Sequence, residues 1–195
     1  MVVAARLPTL ARAGALARKI ALHCGDITQL EIDAIVNAAN PTLLGGGGVD
    51  GAIHRAANDP RFLEECRALN GCRTGEAKTT GAYKLPCRYV IHTVGPIYRE
   101  HSESEAHSLL QAAYRHSLQQ AVQWGARSLA FPSISTGVYG YPKEAATHAA
   151  VDAVAQFLRG PQGERIDLVV FCCFSPGDLA LYERIAPMYA DAGAT

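Results

Sequence analysis

The chain has 195 residues, 49% of them hydrophobic and 18% charged, and its 18 basic and 18 acidic side chains give a formal net charge of zero. That length suits one domain with a sizeable core rather than two, and the composition excludes a disordered chain. The charge balance argues against nucleic acid or an anionic membrane as the main partner, and no stretch is long and apolar enough to span a bilayer.

In chain order, the first 25 residues carry Arg6, Arg12, Arg18 and Lys19 with no acid before Asp26. This is the composition of a transit peptide, but Ser is absent, and an Ala-rich helix over Pro8–Leu16 is the preferred expectation. Residues 1–18 are read as an N-terminal extension, 19–190 as one domain and 191–195 as a tail. Lys19–His23 reads as an edge strand. Ala34-Ile35-Val36 reads as a buried strand that stops at Asn37. Pro41–Asp50 is a glycine-dense loop. Helices are expected over Gly51–Ala57 and Phe62–Leu69, interrupted near Asn58-Asp59-Pro60. Tyr89-Val90-Ile91 is a second buried strand. The longest helix is expected over Glu103–Trp124, stopped by Gly125. A strand at Ser128–Phe131, a helix at Pro142–Leu158, a strand at Asp167–Phe174 and a helix at Pro176–Tyr189 complete the pattern.

Strands that alternate with helices and read as continuous apolar runs imply an α/β protein: a three-layer α/β/α sandwich around a mixed, mostly parallel sheet. Ligands bind such sheets where loops leave the carboxyl ends of the strands. Three loops are unusual enough to converge on one crevice: Asn37–Asp50, Pro132–Tyr141 and Phe174–Asp178.

Gly45-Gly46-Gly47-Gly48-Val49-Asp50-Gly51 is the most informative segment. Glycines without Cβ let backbone N–H groups approach an anion, and a following helix N-terminus adds favourable partial charge, so a pyrophosphate is the natural guest. Gly46, Gly48 and Gly51 also satisfy the dinucleotide-fold fingerprint, but eight residues, Ala38 to Gly45, separate them from the strand end, where that fingerprint should turn at once. An NAD-dependent oxidoreductase is therefore disfavoured, and no Gly-Lys-Ser/Thr follows to make a P-loop. Ser133–Pro142, with small hydroxyl residues and two glycines ahead of a helix, is a second phosphate-type loop or an ordinary connection. Asn37 and Asn40 supply carboxamides suited to ribose hydroxyls or to loop capping. Asp26 suits an adenine amino group, or equally caps the turn Ile27–Leu30.

Together, Gly25-Asp26-Ile27-Thr28, Ile35–Asn40, Gly45–Gly51 with Ala52-Ile53-His54, His92–Pro96 and Pro132–Gly137 resemble the macrodomain family. The closest likeness is to the branch that removes ADP-ribose from acidic residues and deacetylates O-acetyl-ADP-ribose. The resemblance runs from about Ile20 to Tyr189. It implies a macrodomain fold, with Asp26 on the adenine amino group assisted by the Ile27 backbone, Asn40 on the distal ribose and Asn37 among the residues that bind ADP-ribose. Gly46, Gly47, Gly48 and Val49 would clasp the diphosphate with Ser135, Thr136, Gly137, Val138 and Tyr139. Tyr139 would also pack on the distal ribose, and Phe174 would stack on adenine. Asp50 matches the catalytic aspartate. Asn58 departs from the branch, which usually has Gly there, and Asn tolerates a left-handed cap nearly as well.

The activity this implies is hydrolysis of esters at the distal ribose of ADP-ribose. Asn40 and Asp50 would position or activate water, with Asp50 as general base or, if a substrate phosphate activates the water, as a positioning group. The alternative is a non-catalytic ADP-ribose reader. His54, one helical turn beyond Asp50, is expected to orient the loop or Asp50 rather than act as base. His92 is expected to satisfy local backbone groups, and His101, His107, His116 and His148 to sit on solvated helix faces. No metal-ligand set or cofactor is expected. Cys24, Cys66, Cys72, Cys87, Cys172 and Cys173 are expected to be reduced, mostly buried thiols without a catalytic role. The expected setting is a cytoplasmic monomer whose partners are ADP-ribose, O-acetyl-ADP-ribose and ADP-ribosylated proteins.

Overall fold

Apolar runs such as Leu129-Ala130-Phe131 and Val169-Val170-Phe171 can bury both of their faces only in a sheet that is covered on both sides. The computed structural model, which describes residues 1–10 and 14–190, has that arrangement. Its elements are β1 (Val2–Val3), α1 (Gly14–Ala17), β2 (Ile20–Cys24), β3 (Leu30–Ala38), α2 (Gly48–Ala57), α3 (Pro60–Ala68) and β4 (Ala77–Gly81). They continue with β5 (Cys87–Thr93), α4 (Glu103–Gln123), β6 (Ser128–Phe131), α5 (Lys143–Arg159), β7 (Leu168–Cys173) and α6 (Pro176–Ala190). The sheet order is β2-β7-β6-β3-β5-β4, with β1 pairing β3. Every pairing is parallel except that of β4 with β5.

Alternation along each strand splits the core in two. On one face Ile91, Leu129, Phe131, Val169 and Phe171 pack with Leu110, Leu118, Val154 and Ile185 of α4, α5 and α6. On the other, Ile35, Val90, Ala130 and Val170 pack with Ile53 of α2 and Phe62 of α3. Between α2 and α3, Asn58 takes the left-handed conformation (φ 40°, ψ 45°) and ends the first helix. Asp59 then caps the second, accepting from the Arg61 N–H at 2.9 Å, and Pro60 occupies its first turn.

Two features differ from the sequence expectations. The strand β4, Ala-Lys-Thr-Thr-Gly, has no apolar run to announce it; it is held as an antiparallel edge through pairing with β5 from Ala77↔Thr93 to Gly81↔Tyr89. At the N-terminus the helix expected over Pro8–Leu16 is not formed at its start: Pro8, Thr9 and Leu10 lie outside any helix. Val2 and Val3 pair with Leu30 and Glu31, ahead of the points where β5 and β6 join β3, and Thr9 bridges Ala21. Among the described residues of that span helix is present at Gly14–Ala17, after an earlier 3-10 turn at Ala4–Arg6, while residues 11–13 and the expected tail, 191–195, lie outside the described residues. Unpaired strand edge and the β-branched Val2-Val3 pair account for the extended start of the chain; Ala4 is buried behind them.

Because β2, β3, β5, β6 and β7 run parallel, the segments after all five leave the same edge of the sheet. Phe131 anchors the centre of the larger core and is fully buried. Phe131→Ala should lower the unfolding free energy by about 3–5 kcal/mol, read as a lower denaturant midpoint at unchanged slope. A loss below about 1 kcal/mol would show that the side chain does not fill the core.

Candidate functional site

The glycine loop closes over the end of β3. Gly45 (φ 92°) and Gly48 (φ 57°) take backbone conformations that side chains resist, and Gly47 precedes α2 with no capping side chain. The first-turn N–H groups of α2 therefore lack a protein acceptor and end at an exposed Gly46-Gly47-Gly48 surface. Gly51 is required by packing, since a Cβ there would lie 2.5 Å from the Gly46 carbonyl oxygen. The second loop follows β6, the strand beside β3. It is tightened by Tyr141 N–H donating to Ser135 O and Gly140 N–H donating to Gly137 O, both 2.9 Å. Ser135 sits at φ 65°, and Val138 is wholly exposed. The two diphosphate loops of the sequence reading are thus neighbours.

Asp50, in the first turn of α2, lies between them and is only 4% exposed. Its Oδ1 accepts from Asn37 Nδ2 at 2.7 Å. Its Oδ2 is buried with no partner, as are Asn37 Oδ1, His54 Nε2 and Ser135 Oγ. Buried polar atoms are nearly always paired, so four in one region mark where a polar ligand or water belongs. A methyl on Gly46 would lie 3.0 Å from Asp50 Oδ2 and 3.3 Å from Asn40 Nδ2, which sets both groups around one small space. Asn40 also braces the loop: Nδ2 donates to Gly45 O at 3.0 Å, and Oδ1 accepts from Thr42 N–H and Oγ1 at 3.0 and 2.6 Å. His54 Nε2 lies 3.4 Å from Asp50 Oδ1 without hydrogen-bond alignment, and its ring stands edge-on to Phe62. It supports the carboxylate and the Gly45 turn, whose Cβ position is 3.5 Å from the ring. Tyr139 is half-buried; burial, and then Asp50 and Glu100 nearby, raise its hydroxyl above the ordinary tyrosine range.

The remaining segments carry on along the same edge. After β2, Asp26 caps the next turn, Oδ1 accepting from Thr28 N–H at 2.9 Å and Thr28 Oγ1 at 2.7 Å, and the carboxylate is exposed. Ile27 is buried beneath it. After β7, Phe174 is 94% exposed although large and aromatic. Thr136 bonds back to Ser133 O at 2.9 Å, and Gly137 is open to solvent. Asp178, buried at the start of α6, is tied to Lys143 at 2.6 Å and to Ser175 Oγ at 2.7 Å, joining the loops after β6 and β7.

His92, Thr80 and Gly95 hold positions that the sequence reading did not assign to them. His92 does not satisfy backbone groups: its Nδ1 lies 3.1 Å from Asn37 Nδ2 and its Nε2 lies 2.9 Å from Thr80 Oγ1. Thr80 belongs to the strand that carried no pattern. At Gly95 a Cβ would meet Ser135 Oγ at 2.1 Å, so glycine there lets the second loop close; the Gly95-Pro96 pair was its only signal. His116 and His148 are also not simply solvated, since His116 Nδ1 meets Gly75 O at 2.5 Å and His148 Nδ1 meets Tyr189 Oη at 2.9 Å. All six cysteines are free. Burial pushes the thiols of Cys66, Cys87, Cys172 and Cys173 up to about 12 and that of Cys72 to about 11, which removes them as nucleophiles. Among the described residues no group of three or more His, Cys, Asp or Glu is placed to hold a metal.

The Macro domain family profile matches residues 36–150. A macro domain-containing protein of Ralstonia nicotianae is 60% identical over 158 residues, 81% of this chain and 88% of that protein. The ADP-ribose glycohydrolase MACROD2 of Xenopus laevis is 53% identical over 169 residues, 87% of this chain but 40% of that protein, so the chain spans about two fifths of it. Among solved structures, the Trypanosoma brucei macrodomain in complex with ADP-ribose superposes with a TM-score of 0.86 at 45% identity, covering 94% of this chain and 75% of that one. The Oceanobacillus iheyensis macrodomain with ADP gives 0.83 at 38% identity, covering 92% and 96%.

His92 also makes the fold acid-sensitive. Burial drives its folded pKa down from 6.5 to about 3. Between those values the unfolded chain binds a proton that the folded chain refuses, so stability falls as pH drops through this window, by at most about 1.4 kcal/mol per pH unit. The unfolding free energy of His92→Leu should decline less steeply between pH 6 and pH 4 than that of the wild type. Equal slopes would show that His92 is protonated inside the fold.

Proposed function

The chain belongs to the macro domain family, and from that premise we propose that it binds ADP-ribose and hydrolyses ester bonds at the distal ribose. The observation that carries this reading is the set of buried, unpartnered polar atoms, Asp50 Oδ2, Asn37 Oδ1, His54 Nε2 and Ser135 Oγ, beside the uncapped start of α2. Strand order supports the ligand's layout. Asp26 and Phe174 follow the adjacent strands β2 and β7, the diphosphate loops follow β6 and β3, and Asn37, Asn40 and Asp50 cluster where β3 ends. Adenine, diphosphate and distal ribose would lie in that order along the carboxyl edge, across about 14 Å of sheet at the usual strand spacing.

Two substrate types fit: O-acetyl-ADP-ribose, and proteins carrying mono-ADP-ribose on Asp or Glu. Both present an ester that needs a placed water and stabilisation of developing charge. Asp50 has one oxygen anchored by Asn37 and the other facing the space beside Gly46 and Asn40. That free oxygen orients or deprotonates the water, a role typically worth roughly 10²–10⁴-fold. Asn40 holds a ribose hydroxyl with its remaining N–H. The exposed Phe174 ring stacks on adenine, and the free Asp26 oxygen receives the adenine amino group. The names and ligands of the relatives support this chemistry: a glycohydrolase of ADP-ribose, and macrodomains holding ADP or ADP-ribose. The free thiols support a reducing, cytoplasmic setting.

Hydrolysis of O-acetyl-ADP-ribose and of a glutamate-ADP-ribosylated protein by Asp50→Ala should fall at least about 100-fold while calorimetry still detects ADP-ribose binding. Equal loss of binding and turnover would remove the catalytic role of Asp50, and binding by the wild type without turnover would leave a reader. Gly51→Ala, whose Cβ has to displace the Gly46 carbonyl, should weaken ADP-ribose roughly tenfold, about 1.4 kcal/mol. Unchanged affinity would exclude the glycine loop from the diphosphate site.

A further inference from the structure

We propose that His92, backed by Thr80, is a positioning residue that sets the Asp50 carboxylate by fixing which way the Asn37 carboxamide faces. The inference rests on the reading of Asp50 as the catalytic group. Asn37 and His92 are register partners on the adjacent strands β3 and β5. Asn37 Nδ2 donates to Asp50 Oδ1 at 2.7 Å and lies 3.1 Å from His92 Nδ1. An amide nitrogen can only donate, so His92 Nδ1 is the acceptor, and the single ring proton of a neutral imidazole sits on Nε2. Nε2–H then donates to Thr80 Oγ1 at 2.9 Å, and Thr80 in turn donates to Gly81 O at 3.1 Å. Asn37, His92 and Thr80 are each 0% exposed, so bulk solvent does not compete for the bonds among them.

The direction of each bond follows from the last. Turning the Asn37 amide over would set its oxygen against Asp50 Oδ1 and against the ring lone pair, two repulsions in a dry interior. Protonating His92 would place an Nδ1–H against the Asn37 N–H. The groups that face the ring are Asp50 and His54 from α2 and Cys66 from α3, whose Sγ is 3.8 Å from Nε2. Burial outweighs the Asp50 charge and keeps the ring neutral. An ordered sequence of bonds thus runs from the edge strand β4 through β5 and β3 to the first turn of α2. It ends by holding Asp50 Oδ1 and leaving Oδ2 toward Gly46 and Asn40. His92 touches no substrate in this scheme; its contribution passes through Asn37.

The test pairs ring spectroscopy with kinetics. In ¹⁵N-labelled wild type, His92 should show the Nε2–H tautomer and no titration down to pH 5; an Nδ1–H tautomer, or titration near the ordinary histidine value, would overturn the scheme. His92→Leu should lower kcat for O-acetyl-ADP-ribose roughly 10- to 100-fold through misplacement of Asp50, with the ADP-ribose Kd unchanged. His92→Asn, which offers an oxygen near the former Nδ1, should recover most of that loss, although both variants sever the link to Thr80. Equal losses in kcat for the two variants would reduce His92 to a packing residue and sink the proposal. If Asp50→Ala turns over at the wild-type rate, the functional reading fails instead. The tautomer, and the shift of the Asn37 side-chain amide in His92→Leu, then decide whether the positioning arrangement exists, independently of activity.

Discussion

The structure is organised around a carboxylate that is taken out of water. Asp50 is almost completely buried, and burying such a group is costly unless hydrogen bonds or fixed dipoles replace its hydration. Two features do so here: the 2.7 Å bond from Asn37, and the position of Asp50 in the first turn of α2, where the orphan N–H groups present partial positive charge. Each makes demands on the fold. Asn37 has to stand at the end of a central strand, with an acceptor in register for its second N–H. The helix has to begin beside that strand, which leaves the connecting loop little room and places glycine at Gly46 and Gly51.

The sheet meets these demands and also gathers the rest of the site. Five parallel strands deliver five segments to one edge, in the order Gly25–Ile27, Phe174–Asp178, Ser133–Tyr141, Asn40–Gly48 and Val94–Pro96 along β2, β7, β6, β3 and β5. A linear row of small loops suits an elongated ligand with distinct groups at each end. The rigidity of that row comes from the two cores below it, and from ties between the loops themselves, such as Lys143 to Asp178 and Tyr98 N–H to Tyr139 O. The exposed Phe174 and Val138, unlike the apolar residues beneath, have no role in packing and stand free for contact.

The helix and strand pattern was largely legible in the amino-acid order because periodicity and capping act locally. Gly125 ends α4, Asp59 and Pro60 start α3, and Asn58 turns left-handed between α2 and α3. Two elements escaped, for opposite reasons. The strand β4 has a mixed sequence and exists because β5 offers an unpaired edge. The segment from Pro8 to Leu16 looks helical by composition, yet Thr9 bridges Ala21, and ahead of it Val2 and Val3 pair with β3. Among the site residues, Asp50, Asn40, Asn37 and the glycines were visible as motifs. His92 was visible as a residue but not as a partner, because nothing in its neighbourhood along the chain points 55 residues back to Asn37.

The sequence by itself determined which groups the protein can bring to bear, since glycine-rich turns, a helix-starting aspartate and strand-ending asparagines are choices of residue type at local spacing. It also determined that the sheet would be mostly parallel, since only such a sheet buries its apolar runs on both faces. Tertiary structure alone decided the strand order that sets the Asp26 and Phe174 segments at one end of the row and the Asn40–Asp50 cluster toward the other. It also decided the register that places His92 against Asn37, and hence which carboxylate oxygen is held and which is left free. Those outcomes depend on contacts between distant strands, and the direction of a hydrogen bond is settled only when both partners and their own neighbours are in place.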